Sequence, residues 1–340
     1  HWDGKFSEAD MKRHLNERLA SQSFSRELSA KSWLGLSWPR KWGGQERSAF
    51  EQLVFEEETA YAEAPIGWHL ASVSMMGPTI MKHGSPEMRQ RLLPAILKGD
   101  VCFCIGYSEP ENGSDLAGLK TRAIRDGDGW VIRGQKLYTS TGSYANYCWI
   151  AARTDPDAKP SHAGISIFIV PKPLGDAHGF MFTQPGGGKM EGRPIDTIGY
   201  RGMHSYEIAL ENWWVPHANL IGEDAGLGKG FYLQMEGFEN GRLQTAARAV
   251  GVMQAAYEAA LQYSQDRKVF GNAVGEYELT KVKLGRMAFV IQASRQFAYS
   301  VATMMAKGQG QMEASMIKAY VCKAAEWVTR EALQIHGGYG

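Results

Sequence analysis

Between positions 7 and 98 apolar residues recur at helical spacing. Leu28, Trp33 and Leu36 come first, then Phe50, Leu53, Val54 and Tyr61, with Glu57 on the same spacing, and residues three or four apart share one face of a helix. Trp38-Pro39 with Gly43-Gly44, then Pro65, Gly77-Pro78, Gly84-Ser85-Pro86 and Gly99-Asp100 cut the run into several helices. From Val101 to about Pro216 the period falls to two. Residues 101–105, 130–134, 147–151, 165–170 and 206–210 read as short strands, and Asp126-Gly127-Asp128-Gly129 is a strong hairpin signal. From Phe231 onward the spacing is helical again. Met235, Phe238, Ala246, Ala249, Val250, Met253, Tyr257 and Leu261 trace one stripe, with Arg242 on it four residues from Phe238 and from Ala246. The final helix is expected to place Met316, Tyr320, Ala324, Val328, Ala332 and Ile335 on one face and to stop at Gly337-Gly338. Breaks at 271–275 and 308–310 turn this last part into a bundle.

Composition narrows the partners. The 340 residues carry 37 Lys and Arg against 36 Asp and Glu, a net charge of +1, and 44% of them are apolar. That describes a globular protein with a sizeable core; no basic block offers a nucleic-acid footprint, and no apolar run approaches the roughly 20 residues of a spanning helix. The four cysteines, Cys102, Cys104, Cys148 and Cys322, contain no Cys-x-x-Cys pair and no ligand-spaced histidines accompany them, so they read as reduced core residues rather than a metal site or a disulfide framework. The chain begins at His1 and stops inside a glycine turn, which reads as part of a longer protein; no targeting peptide can be judged from it.

The chemistry gathers where the first strand ends. Residues 106–118 read Gly-Tyr-Ser-Glu-Pro-Glu-Asn-Gly-Ser-Asp-Leu-Ala-Gly, a polar loop with hydroxyls and freely placed backbone N–H groups at a strand terminus, suited to a polar ligand. By turn propensity alone it is an ordinary surface turn. Gly186-Gly187-Gly188-Lys189 lacks the spacing of a phosphate loop and reads as a flexible turn.

Three stretches together carry more. The 106–118 loop resembles the Ser-Glu-x-x-x-Gly-Ser-Asp-x-x-Gly signature of the acyl-CoA dehydrogenase family. Asp266-Arg267-Lys268-Val269-Phe270-Gly271 resembles its Arg-Lys-x-Phe-Gly segment, and residues 333–340, Leu-Gln-Ile-His-Gly-Gly-Tyr-Gly, resemble its Gln-Ile-x-Gly-Gly-x-Gly segment. The likeness spans nearly the whole chain. It implies an α+β multidomain fold: an N-terminal helical domain at 1–100, a central β-barrel at 101–216 and an incomplete C-terminal helical bundle at 217–340. Trp38-Pro39-x-x-Trp42-Gly43-Gly44 is similar to the family's first interhelical turn and is read here as a packed aromatic turn.

The resemblance further implies FAD, an acyl-CoA thioester as substrate, and electron transfer to an electron-transferring flavoprotein. Tyr107, Ser108, Gly113, Ser114, Tyr138 and Ser140 would meet the cofactor; Tyr138 stands where the family commonly has tryptophan and Ser140 where it has threonine. Arg267 and Phe270, with Gln334 and Gly338, would hold the cofactor across a subunit interface, implying a homo-oligomer built as a dimer of dimers. Ser114, Phe238 and Arg242 would meet the substrate. An arginine on an apolar stripe serves either a site or a buried pair. Most family members carry the catalytic glutamate beyond the position of Gly340, and a minority carry it where this chain has Gly241, so the base is expected outside the sequence, with Glu236 and Glu239 as substitutes. Two alternatives stand beside the dehydrogenase: an oxygen-reacting relative (an acyl-CoA oxidase or flavin monooxygenase) and a non-catalytic subunit of a heteromeric steroid side-chain dehydrogenase, which residues 38–44 and 108–123 faintly resemble. The bacterial cytoplasm is the expected compartment, with the mitochondrial matrix as the other.

Overall fold

The computed structural model of the chain describes residues 8–175, 179–198 and 204–340; the expected helical start at Ser7 lies outside them. The chain divides into two units. One comprises His1–Gly35, Pro39–Gly44 and Pro65–Gly237, the other Leu36–Trp38, Gln45–Ala64 and Phe238–Gly340.

In the first unit, helix α1 (Glu8–Ala30) precedes a π-helical turn (Ser72–Met76) that leads into α3 (Gly77–His83) and α4 (Pro86–Leu97). Ser85 caps α4 by accepting from the Met88 N–H at 3.2 Å, and Pro86 at the first position has no N–H to lose. Trp68 pins the turn: its indole donates to Gly99 O at 2.8 Å and its backbone N–H to Ser21 Oγ at 2.7 Å. Beside it His69 Nδ1 lies 2.7 Å from Ser25 Oγ, and burial pushes the imidazole down to about 4, so it is neutral near pH 7 and structural.

Eight strands follow: β1 (Phe103–Gly106), β2 (Arg122–Asp126), β3 (Gly129–Ser140), β4 (Tyr147–Arg153), β5 (Ile165–Pro171), β6 (Phe180–Thr183), β7 (Lys189–Ile195) and β8 (Ser205–Pro216). Their ladder runs β1-β4-β2-β3-β8-β7-β6, with β5 on β4. The predicted Asp-Gly-Asp-Gly hairpin joins β2 to β3 with Asp126 opposite Gly129 and Gly127 at φ +58°. Strands β6 and β7 fall where period two is weak, and the Gly186-Gly187-Gly188 segment is the turn between them. Trp130, Ile132, Ile150, Phe168 and Tyr206 are among the side chains filling this unit's core.

The second unit is helical. Helix α2 (Ala49–Tyr61) starts with a capping box in which Ser48 accepts from the Glu51 N–H while Glu51 Oε2 accepts from the Ser48 N–H. Helix α5 (Gly230–Asp266) contributes its residues from Phe238 onward, followed by a small hairpin of β9 (Lys268–Val269) and β10 (Asn272–Ala273), α6 (Glu278–Met305) and α7 (Gln311–His336). Two predicted faces shift. In α7 the buried residues are Ala314, Ile317, Val321, Ala324, Val328, Ala332 and Ile335, while Met316 and Tyr320 are exposed; the face bends by one residue in the first two turns because a 3.6-residue period drifts off a strict four-residue spacing. In α5 the buried face is Leu243, Ala246, Ala247, Val250 and Met253, and Arg242 flanks it half-buried rather than pointing into the core.

Helix α2 brings carboxylates inside. Glu57 Oε1 accepts from Arg295 Nε at 2.6 Å, and Arg295 also donates to Gln254 Oε1 at 3.0 Å. Among the described residues the Glu56 carboxylate accepts only from Gln52, at 3.0 Å, and burial raises its carboxyl to about 7 against the weaker opposing pulls of Gln52 and Arg248. Because its folded value exceeds the unfolded one, the folded chain binds more proton between roughly pH 4.5 and 7 and stability falls as pH rises through that window. Glu56→Gln should flatten that part of the stability–pH curve. A curve from urea melts whose slope is unchanged in the variant would show that Glu56 does not titrate there.

Candidate active site

A pocket of about 230 Å³ opens in the first unit where β1 and β3 end, with all its lining between Gly67 and Thr141. One wall comes from the residues just before the π-turn, Leu70 and Ala71. Ser72 in that turn accepts from the Phe103 N–H at 3.1 Å and so ties the wall to β1. The other wall depends on a bulge. Between Lys136 and Thr139 strand β3 advances three residues while β8 advances two, from Ile208 to Tyr206. The extra residue puts Tyr138 at φ +56°, a left-handed conformation unusual for an aromatic residue, and leaves the residue 62% exposed at the pocket. Ser140, opposite Ser205, and Thr141, whose N–H donates to His204 O at 3.0 Å, bring two hydroxyls to the same rim.

Beneath the loop lies a buried ion pair. Lys136 is fully buried, and its ammonium donates to Glu109 Oε1 at 2.8 Å and to Tyr107 O at 3.2 Å. Glu109 also accepts from the backbone N–H groups of Thr121 at 2.9 Å and Lys120 at 2.6 Å. Burial pushes the Lys136 ammonium down to about 8 against the raising pull of Glu109. Burial acts to raise the Glu109 carboxyl, but Lys136 and the N–H donors outweigh it and hold it below its ordinary value. With Leu137 N–H donating to Ser108 O at 2.8 Å, this cluster fixes Tyr107 and Ser108 against β3. The pair was absent from the sequence reading, yet its signal was present: Trp130, Ile132 and Lys136 share the inward side of β3, and a lysine on an inward face requires an acid.

Of the residues expected at the site, Tyr107, Ser108, Tyr138 and Ser140 line the pocket together. Gly113 and Ser114 are exposed further along the loop, outside its lining. Gly118 closes that loop, since a Cβ there would stand 2.7 Å from Asn112 Oδ1. In the second unit, Arg267 directly follows α5, and Phe270-Gly271 form the two-residue turn of the β9–β10 hairpin, both at positive φ, with Phe270 94% exposed. The Tyr263 and His336 rings pack at 4.5 Å, bringing the ends of α5 and α7 together, so Arg267, Phe270, Gln334 and Gly338 gather at one end of the bundle, all exposed. Phe238 and Arg242 are half-buried on α5, and Arg242 makes no hydrogen bond or ion pair among the described residues. Glu236 is engaged by Lys82 Nζ at 2.5 Å and His83 Nε2 at 3.2 Å, and these partners hold its carboxyl low despite burial.

Models of the acyl-CoA dehydrogenase N-terminal, middle and C-terminal domains match residues 4–100, 104–213 and 228–340. The cyclohexane-1-carbonyl-CoA dehydrogenase of Geobacter metallireducens is 34% identical over 313 residues, covering 90% of this chain and 76% of that protein. The chain belongs to the acyl-CoA dehydrogenase family. Another of this family, the (2S)-methylsuccinyl-CoA dehydrogenase of Cereibacter sphaeroides, is 35% identical over 96% of the chain, which spans 59% of that relative's length. The crystal structure of an acyl-CoA dehydrogenase from Geobacillus kaustophilus matches with a TM-score of 0.82 at 30% identity, covering 99% of this chain and 86% of that one. Acyl-CoA dehydrogenases are flavoproteins, and the pocket suits part of a flavin: Leu70, Ala71 and Leu137 offer apolar surface, while Ser108, Ser140 and Thr141 supply hydroxyls at the edge. Among the described residues no helix is long and apolar enough to cross a membrane.

Proposed function

We propose that this acyl-CoA dehydrogenase family member catalyses FAD-dependent α,β-dehydrogenation of an acyl-CoA thioester and passes the electrons to an electron-transferring flavoprotein. The observation that carries the reading is the pocket in which Tyr107 and Ser108, from the signature loop, converge with Tyr138 and Ser140 from the end of β3. These residues would hold the ring, with Gly113 and Ser114 on the same loop reaching ligand beyond it. Arg267 would hold the pyrophosphate of FAD bound by a neighbouring copy, and Phe270, Gln334 and Gly338 would meet the same cofactor, in a homo-oligomer arranged as a dimer of dimers; the guanidinium fork suits a phosphate. Bound FAD supplies the acceptor for the β-hydrogen as hydride. The protein's part is to orient the thioester and remove the α-proton. Ser114, Phe238 and Arg242 are assigned to the substrate. Glu236 is engaged by Lys82 and His83, so the base is assigned to a carboxylate outside residues 1–340, which the half-buried Arg242 guanidinium would orient beside Gly241. This reading includes domains at 1–100, 101–216 and 217–340 and a bacterial cytoplasmic location.

The test is anaerobic bleaching of the flavin by a panel of short, branched, cyclic and long acyl-CoAs; a protein that neither carries FAD nor takes it up on reconstitution would sink the proposal. Arg267→Ala should lower FAD occupancy severalfold, read from the flavin-to-protein absorbance ratio, and an unchanged ratio would show the arginine is misassigned. Glu236→Gln should bleach as the parent does, whereas a silent variant with full flavin content would make Glu236 the base.

A further inference from the structure

The sheet of the first unit holds a pair of thiols that nothing above uses. Cys104 on β1 stands in register with Cys148 on its parallel neighbour β4, and the Cys104 thiol donates to Cys148 Sγ at 3.1 Å. Neighbouring strands run about 4.8 Å apart, inside the span of roughly 4.4–6.8 Å that disulfide-bonded Cα atoms keep. Both side chains are buried, and residue Cys104 is among those lining the pocket. Cys102, just before β1, directs its thiol to Phe103 O at 3.9 Å instead. Lys172 is buried nearby, its ammonium held by Ser143 O at 2.9 Å and Pro173 O at 2.8 Å.

We propose that Cys104 and Cys148 form an oxidisable dithiol, closed to a disulfide by a hydroperoxide that reaches the pair through the pocket. The step balances with hydrogen peroxide as oxidant. One thiolate attacks a peroxide oxygen, forming an S–O bond as the O–O bond breaks and one water leaves; the other sulfur then displaces the oxygen, forming the S–S bond and releasing the second water. The pair loses two electrons and two protons, and the peroxide is reduced. The hydrogen bond from Cys104 draws the Cys148 thiol below its ordinary value, against burial and with help from Lys172, which makes Cys148 the sulfur that ionises first. Bond formation draws β1 and β4 together at the pocket wall that Phe103, Cys104 and Ile105 provide.

The experiment treats the native protein, stripped of flavin, with hydrogen peroxide, then alkylates it under denaturing conditions and counts thiols by mass. The parent should lose two of its four thiols, show a mass lower by two hydrogens and yield a crosslinked peptide joining Cys104 to Cys148, all reversed by dithiothreitol. Cys102→Ser should behave as the parent; Cys104→Ser should give no crosslink. Four titratable thiols in the treated native protein, with a denatured control that oxidises, would overturn the dithiol, as would a crosslink between any other pair. Prior loading with FAD should slow the crosslink severalfold. That arm rests on the flavin reading, and its failure with FAD demonstrably bound would overturn the pocket as the access route, whereas the crosslink in flavin-free protein is independent of it.

Discussion

Lys136→Met should cost about 3–5 kcal/mol of unfolding free energy at pH 7, the range for removing one partner of a buried ion pair, and much of that loss should vanish by pH 5. In the parent the Glu109 carboxyl lies below its unfolded value, so its stabilising contribution is complete above that value and is lost only as pH falls through the lower folded one. In the variant the same carboxyl is buried with no cation beside it, and desolvation drives its affinity for protons up. The variant therefore takes up a proton on folding and recovers stability as pH falls, which the parent does not. Urea melts at pH 7 and pH 5 would measure both gaps. An equal deficit at the two pH values would mean that lost packing, not an unpaired carboxylate, is responsible. Because Lys136 also holds Tyr107 O, flavin uptake should fall in the same variant.

Gly251→Val should unfold the second unit outright or lower its stability by about 3 kcal/mol or more, beyond the usual cost of overpacking. Here α5 passes α2 with backbone against backbone. A Cβ on Gly251 would stand well inside 3.0 Å of Glu57 O and also meet Tyr61 N and the Ala60 side chain. Backbone atoms cannot rotate aside as a side-chain tip can, so the helices would have to separate. That would disturb the neighbouring Glu57–Arg295 bridge, whose arginine is only 16% exposed. Gly237→Ala, on the same helix, is the control. Its new methyl would find Thr79 Oγ1 alone, at 3.9 Å, and near-parental stability is expected. Because helix propensity favours alanine over glycine, a comparable loss in Gly237→Ala would show that the crossing at Gly251 does not set the effect.

The sequence displayed the architecture because period is a local property: the switch from 3.6 to 2 near Val101 and back after the last strand is written in neighbouring residues, as is the Asp126–Gly129 hairpin. What it concealed was set by distant partners. Strands β6 and β7 have weak alternation and owe their existence to pairing with each other and with β8. Met316 and Tyr320 fit a plausible stripe, but which helical arc is covered depends on how α6 lies against α7. At the site, the hydroxyls of Ser108 and Ser140 were legible from the motif. The left-handed Tyr138 was not, because the bulge that creates it is a mismatch between β3 and β8 some 65 residues downstream.

That mismatch also fixes when the pocket can exist. The β2–β3 hairpin closes over two residues and is available as soon as residue 133 is made. Strand β1 must wait for β4, and the Thr139–Ser140 arm must wait for Ser205–Tyr206. Loop-closure entropy makes such distant pairings late events in folding. Pulsed hydrogen exchange during refolding should accordingly protect the amides of residues 123–132 before those of residues 105 and 139, and the reverse order would refute this sequence of events. A chain emerging from the ribosome carries its complete Ser-Glu-Pro signature long before it can grip a ligand with it, so cofactor capture has to wait until more than two hundred residues have been synthesised.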